Sequence, residues 1–370
     1  MKFELTKILI THKSRTMGKV KELSFNGETI YCGIDVHKTN WKVNCIMGKI
    51  DLVGFSQDPD PEQFKKYMDK NYPGAEIKAV YEAGFCGFGV QRSLSKSGIN
   101  CIVVNAADVP TSDKEKKRKD DKRDARKLSR ELQDGSLHPI YIPSIEMEHF
   151  RSLVRQRHRL AQDQTRCKNR IKSMLMFSGI KLSDIKERWS MKMIKELKEM
   201  KCETNGLRLA LNYTIEEYLQ IRKLLKDSTL AIRKLSKEEP FKSVQEYLQS
   251  IPGIGLITGM VIQTEIQDIN RFKTLDRFCD YAGFVPDISS SNDNTVVRGI
   301  THRCNEFLRE ALIESSWTMI RKDPAMLMKY NEYTKRMKPS KAIVRICKHL
   351  LSRIRYVWKN QKKYELGIVK

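Results

Sequence analysis

The sequence predicts an α/β domain at its N-terminal end, a long helical stretch behind it and a mainly helical C-terminal region. Three observations carry that expectation. Short apolar runs rich in β-branched residues alternate with polar helical pattern between residues 30 and 104. Apolar residues then recur three and four apart from about Glu146 to Glu239. Beyond them, a Pro-Gly turn leads to further helical pattern and an amphipathic basic tail. Strands interleaved with helices suit a sheet with helices on its faces, whereas a sustained helical period buries one stripe of a helix.

Residues 1–29 are polar and basic without a period and read as an extension. Ile30 to Ile46, with a turn near Lys38–Asn40, reads as a β-hairpin. A polar helix follows around Pro61–Asn71, then a short strand, Ile77–Tyr81, that ends at Glu82. The glycines Gly84, Gly87 and Gly89 mark a turn into a helix, and Cys101–Val104 is the next strand. Pattern alone leaves the strand order open. A highly charged segment, Ser112–Arg130, runs into a helix through Leu128 and Leu132.

Phe150, Leu153, Arg157, Leu160, Gln164, Cys167, Ile171 and Met174 form a heptad seam with polar members. Leu211, Thr214, Tyr218, Ile221, Leu225, Ser228, Ile232 and Leu235 repeat the spacing. Seams of this kind pair helices as a coiled coil, either within the chain as an antiparallel hairpin or between chains; an ordinary bundle is the plainer alternative. Ile251-Pro252-Gly253-Ile254-Gly255 is a tight turn whose backbone N–H groups could meet a phosphate at a helix start. The tail, Ser340–Tyr364, is basic and amphipathic.

The charge narrows the partner. Against 45 Asp and Glu stand 69 Lys and Arg, a formal net charge of +24. Such an excess points to a polyanion, because each cation set against a phosphate releases a condensed counterion. No apolar run of 18 residues and no cleavable signal peptide is present, so a membrane-spanning or secreted protein is not expected. The nine cysteines are odd in number and never at CxxC spacing, which fits idle thiols in a reducing cytoplasm rather than disulfides or zinc.

Four carboxylates suggest chemistry. Asp35 lies inside the apolar strand Gly33-Ile34-Asp35-Val36, where a charge is costly unless something positive meets it. Glu82 ends another strand. Asp121 and Asp124, three apart, share one helix face. Alone, the last two read more readily as members of a solvated charge run, and Asp113 or Asp120 are alternatives to Asp121. Together the four form an oxygen-only set that suits Mg²⁺ and a phosphodiester.

These motifs resemble those of the DEDD transposases of insertion-sequence family one-hundred-and-ten, whose recombinases are guided by a bridge RNA. Gly33-Ile34-Asp35-Val36-His37-Lys38 is similar to that family's first strand, Tyr81-Glu82-Ala83-Gly84 to its second acidic motif, and Asp121-Lys122-Arg123-Asp124-Ala125 to its paired third and fourth. Downstream, Ile251–Gly255, Phe272 and Tyr281-Ala282-Gly283-Phe284-Val285-Pro286 resemble the opening of the family's C-terminal domain. Pro286-Asp287-Ile288-Ser289-Ser290-Ser291 and Ile300-Thr301 through Asn305 then follow its serine motif without a gap. Two departures are plain: Asn292, Asp293 and Asn294 replace the family's Gly-Gly-Lys, and Cys304 replaces a later glycine.

The resemblance implies a RuvC-like domain of the RNase H type over 30–145, a helical coiled-coil region over 146–245 and a serine-bearing transposase domain over 246–370. It implies Mg²⁺ held by Asp35, Glu82, Asp121 and Asp124, and Ser290 as nucleophile in a polar loop, with Ser291 the alternative. It also implies DNA and a guide RNA as partners, and a dimer or tetramer with a site formed between protomers. Arg151, Arg155, Arg157, Arg159, Arg166, Lys168, Arg170 and Lys172 would make the first long helix a track for a nucleic-acid backbone. A cytoplasmic, nucleoid-associated DNA recombinase is the expectation. The alternatives are a metal-only RNase H-like nuclease or junction resolvase, and a non-catalytic nucleic-acid-binding protein.

Overall fold

The computed structural model describes residues 24–110, 121–180, 189–291 and 294–366. Most of the N-terminal extension, together with Asp113 and Asp120, lies outside them. The chain divides into two compact units with the boundary between Ile142 and Pro143.

In the first unit, β1 (Thr29–Val36), β2 (Trp41–Met47) and β3 (Ile50–Gln57) form an antiparallel meander. β4 (Glu76–Glu82) and β5 (Asn100–Val104) then join β1 in parallel, giving the order β3-β2-β1-β4-β5. The expected hairpin is present. The third strand was not anticipated, because Asp51, Gly54 and Ser56 interrupt its apolar alternation and it is an exposed edge. Helices α1 (Pro61–Asn71) and α2 (Gly89–Lys96) supply the connections that parallel strands require.

Residue alternation sorts the two faces of this sheet. Ile30, Cys32 and Ile34 of β1, Ile77, Ala79 and Tyr81 of β4, and Cys101 and Val103 of β5 pack with Phe64 and Met68 of α1 and Leu94 of α2. On the opposite face Val80 and Val104 meet Leu128 of α3 (Asp121–Asp134). There α3 lies on the β1 backbone itself: a Cβ on Gly33 would overlap the Ala125 carbonyl oxygen and stand 2.6 Å from the Ser129 amide nitrogen. Ser129 Oγ donates to Asn44 Oδ1 at 2.7 Å, and Arg126 and Arg130 pair with Asp51 of β3. The Arg126 guanidinium holds the Asp51 carboxyl below its usual range.

In the second unit the long helices α4 (Ile145–Phe177) and α6 (Asn205–Leu235) pack antiparallel. Arg157 Nε donates to Thr229 Oγ1 at 3.2 Å, and Arg170 pairs with Glu217. Their seams therefore meet within the chain, with Cys167, Ile171 and Leu175 against Leu211, Ile215 and Tyr218. The short helix α5 (Met191–Glu199) closes that cluster with Met193, Ile194 and Leu197.

The other ends of the pair are part of a larger core. Val154 and Ile232 pack with α7 (Lys242–Gln249), α8 (Leu256–Ile266), α9 (Leu275–Tyr281), α10 (Glu306–Lys322), α11 (Pro324–Thr334) and α12 (Pro339–Asn360). Every residue of α8 from Gly259 to Ile266 is buried, as befits a helix surrounded by others. A two-stranded hairpin, β6 (Pro286–Ser291) and β7 (Asn294–Ile300), departs from this helical body.

Candidate active site

Asp35 is the penultimate residue of β1, and Glu82 is the last residue of β4. The two strands are adjacent and parallel, with Ile34 opposite Tyr81, so both carboxylates fall at the same end of the sheet. Alternation gives their face: Gly33 and Val80 meet α3, and two residues on Asp35 and Glu82 share that side. Asp124 stands in the first turn of α3, immediately before the Ala125 that touches Gly33. Asp121 is the first residue of α3, and its side chain lies outside the described residues. Topology thus gathers the strand-end pair and the helix start that sequence spacing singled out.

The surroundings fit a site rather than a core. The Asp35 side chain is 24% exposed and its Oδ2 lies 3.1 Å from His37 Nε2. Lys38, just past β1, sits 5.8 Å over the ring of Phe85, which is 62% exposed after β4. Tyr81, fully buried, fixes the turn behind Glu82: its hydroxyl donates to Gly87 O at 2.9 Å and accepts from the Gln91 amide at 3.2 Å.

Among the described residues no three His, Cys, Asp or Glu side chains converge tightly enough to cage a metal unaided. The donor chemistry nevertheless fits Mg²⁺, which commonly takes one or two protein carboxylates and completes its shell with water and phosphate oxygens. Asp35 and Glu82 at neighbouring strand ends supply such a pair.

The serine motif is placed differently from the expectation. Ser289, Ser290 and Ser291 are not in a loop but on β6, where Ser290 pairs with Thr295 and Ser289 with Val296. Thr295, Val296 and Val297 form a β-branched partner strand, which outweighs the turn-like composition of the serines. The side chains of these serines lie outside the described residues.

The base of this hairpin holds a buried charge network that sequence reasoning missed. Glu265, 0% exposed, receives Arg155 of α4 in a bidentate pair at 2.7 Å on each oxygen. Asn305 Nδ2 donates to Glu265 Oε2 at 2.7 Å and to the Tyr281 hydroxyl at 3.1 Å. The Tyr281 hydroxyl in turn donates to Glu265 O at 2.9 Å. Tyr281 and Asn305 also meet through the backbone, and Asn305 caps α10 by accepting from the Leu308 amide. Both flanks of β6–β7 are therefore tied to one residue, Asn305 to the Glu265 carboxylate and Tyr281 to its main-chain carbonyl. The signal was available: Glu265 is the lone acid in the apolar helix Leu256–Ile266.

Two smaller expectations change. Arg151 and Arg155 are committed to Glu265, Arg157 to Thr229, Arg166 to Asp163 and Arg170 to Glu217. Five of the eight cations named for this helix are therefore already partnered within the chain, and α4 is not a continuous free cationic track. Gly253 of the Ile-Pro-Gly-Ile-Gly turn, at φ +95°, presses on α10, where a Cβ would overlap Ser315 O and lie 3.2 Å from the Met319 amide nitrogen. That glycine answers to packing. Gly283, at φ +76°, likewise faces Cys304, whose Sγ would lie 2.7 Å from an added Cβ.

Comparison with known proteins finds a match in each half of the chain. Residues 32–178 match a DEDD transposase model of IS110 type, and residues 245–331 match the model described as transposase, IS116/IS110/IS902 family. The chain is 28% identical over 238 residues to the putative transposase y4qE of Sinorhizobium fredii, covering 64% of this chain and 57% of that protein. It is 27% identical over 246 residues to the transposase for insertion sequence element IS1533 of Leptospira borgpetersenii, covering 65% and 70%. It is 25% identical over 211 residues to the transposase for insertion sequence element IS1111A of Coxiella burnetii, covering 56% of each. Two transposase models thus match in order along the chain, which over those residues is similar to the DEDD transposases of the IS116/IS110/IS902 family.

Proposed function

We propose that the protein is the transposase of a mobile element, cutting and rejoining DNA through a serine-phosphate intermediate. The observation that carries this reading is the pairing of Asp35 and Glu82 at adjacent parallel strand ends, facing the helix that begins with Asp121 and Asp124. Its support from outside the site is the ordered match of both family models.

Asp35, Glu82, Asp121 and Asp124 would hold Mg²⁺, which when bound supplies positive charge to the phosphoryl oxygens. Ser290 Oγ attacks phosphorus; its bond to phosphorus forms as one P–O bond to deoxyribose breaks, and the serine proton ends on the departing sugar oxygen. Reversal on a new sugar hydroxyl rejoins DNA without ATP, because the phosphodiester energy is kept in the serine ester. The β6–β7 ladder and the Glu265 network hold the serine segment in a fixed register. A structured guide RNA selects the strands, and a dimer or tetramer brings serine and carboxylates of different protomers together. The net charge of +24 supports both nucleic acids as partners.

The test uses protein expressed with its flanking DNA, so that a guide RNA is present, incubated with labelled element-end DNA and Mg²⁺. Label that survives SDS on wild type, and disappears in Ser290→Ala and with EDTA, supports the serine route. An adduct lost only in Ser291→Ala moves the nucleophile by one residue. Free cut DNA without adduct in both proteins replaces this reading with the metal-only nuclease, and absence of any cut with tight binding replaces it with a binding role.

A further inference from the structure

Nothing in the proposed chemistry uses the last helix, although its charge is the most one-sided in the chain. Between Tyr333 and Tyr364 there is no Asp or Glu and there are eleven Lys and Arg. α12 buries Ala342, Ile343, Ile346, Cys347, Leu350, Leu351, Ile354 and Val357. At about 100° per residue, the opposite pole holds Lys341, Arg345, Lys348, Ser352, Tyr356 and Lys359 within an arc of about 80°. From Lys341 to Lys359 this stripe runs for about 27 Å at the helical rise.

The cations on the stripe are not spent on the fold. Among the described residues, Lys341, Arg345, Lys348 and Lys359 make no ion pair and no side-chain hydrogen bond. Arg353 and Arg355, off its axis, are committed to His349 O and Lys273 O. Tyr356, 57% exposed, adds a flat aromatic face to the stripe. Lys335, Arg336 and Lys338 before α12, and Lys362 and Lys363 after it, are exposed and extend the positive strip at both ends.

Three possible partners meet such a surface differently. A helix that lies on a membrane offers lipid its apolar face, and here that face is inside the core. A phosphate strand needs separate cations a few ångströms apart; three- and four-residue steps place them about 4.5–6 Å apart along the axis. Lys and Arg meet the phosphate oxygens of any nucleic-acid backbone, and the reading of the protein as acting on DNA makes a DNA backbone the occupant, with RNA an outcome of the test.

We propose that the outer face of α12 is a seat for the sugar-phosphate backbone of DNA. This rests on the reading of the protein as a DNA-acting transposase. The contact positions DNA on the C-terminal unit without reading its sequence.

The test compares wild type with Lys341→Gln/Arg345→Gln/Lys348→Gln by fluorescence anisotropy on a labelled duplex DNA of arbitrary sequence, over a salt series. A control triple, Lys192→Gln/Lys223→Gln/Lys226→Gln, removes the same charge from exposed lysines elsewhere in the unit. Circular dichroism and melting confirm that both triples fold. Expected is a slope of log K against log salt that is shallower by about 3 and at least about tenfold weaker binding at low salt, for the α12 triple only. Equal losses in both triples would reduce the effect to net charge and overturn the seat. A larger loss on duplex RNA of the same sequence would overturn the choice of DNA. Wild-type binding that the α12 triple leaves unchanged sinks this inference alone, whereas wild type without affinity for DNA sinks the transposase reading with it.

Discussion

Gly33 of β1 and Ala125 of α3 are in backbone contact: there is no room at Gly33 for even one methyl group, because a Cβ would occupy the space of the Ala125 carbonyl oxygen. Two residues past Gly33 is Asp35, and one residue before Ala125 is Asp124. The closeness of strand and helix sets the first turn of α3, with Asp124, beside the end of β1 that bears Asp35.

Gly33→Ala should therefore lower both stability and metal-dependent cleavage. Overpacking of this kind costs about 1–3 kcal/mol, visible as a lower melting temperature. Gly54→Ala is the comparison: on β3 an added Cβ meets nothing nearer than 3.7 Å, and it should leave melting within about 1 kcal/mol of wild type. Equal behaviour of the two variants would mean that α3 is not seated on β1 as described.

Asp35→Asn separates chemistry from folding. Its contact with His37 is solvent-accessible on both sides and is worth at most about 1 kcal/mol, so thermal unfolding should move little. Mg²⁺-dependent DNA cleavage should fall by at least about a hundredfold. A large melting shift with cleavage intact would make Asp35 a structural residue.

Glu265 carries a heavier structural charge. Its removal as Glu265→Ala leaves Arg155 without its bidentate partner and Asn305 without its acceptor inside the core. Breaking a fully buried pair costs about 3–5 kcal/mol, and with Arg155 41% exposed and able to meet water the loss here should be nearer about 1–3 kcal/mol. The double variant Glu265→Ala/Arg155→Met should recover part of that loss in chemical denaturation; strict additivity of the two single variants would show that the pair is not coupled.

His349 supplies a pH dependence. Burial, with Arg353 and Lys329 nearby, pushes its imidazole below the ordinary value, and its Nε2 lies 2.9 Å from the Tyr333 hydroxyl. As pH falls through about 6.5 the unfolded chain takes up this proton before the folded one. Stability is thus unaffected by His349 above that range and declines as the solution becomes more acid. Melting of the second unit should be lower at pH 5 than at pH 7.5, and His349→Gln should flatten the difference.

What the chain order of residues determined by itself was local and periodic. The Ile30–Ile46 hairpin, the Pro61–Asn71 helix and the strand ending at Glu82 were all legible from β-branched runs, helical period and turn glycines, because those signals depend on near neighbours. Candidate site residues were legible for a related reason: a carboxylate in an apolar strand is conspicuous wherever it finally sits. Tertiary structure decided the rest. The β3-β2-β1-β4-β5 order, the partner of each helical seam and the strand under the serines depend on residues far apart in the chain. The Arg155–Glu265 pair spans more than a hundred residues, and no local pattern could name it. Burial is a property of everything that surrounds a side chain, so only the folded chain could show which arginines of α4 are held in packing and which cations of α12 are left to meet a partner.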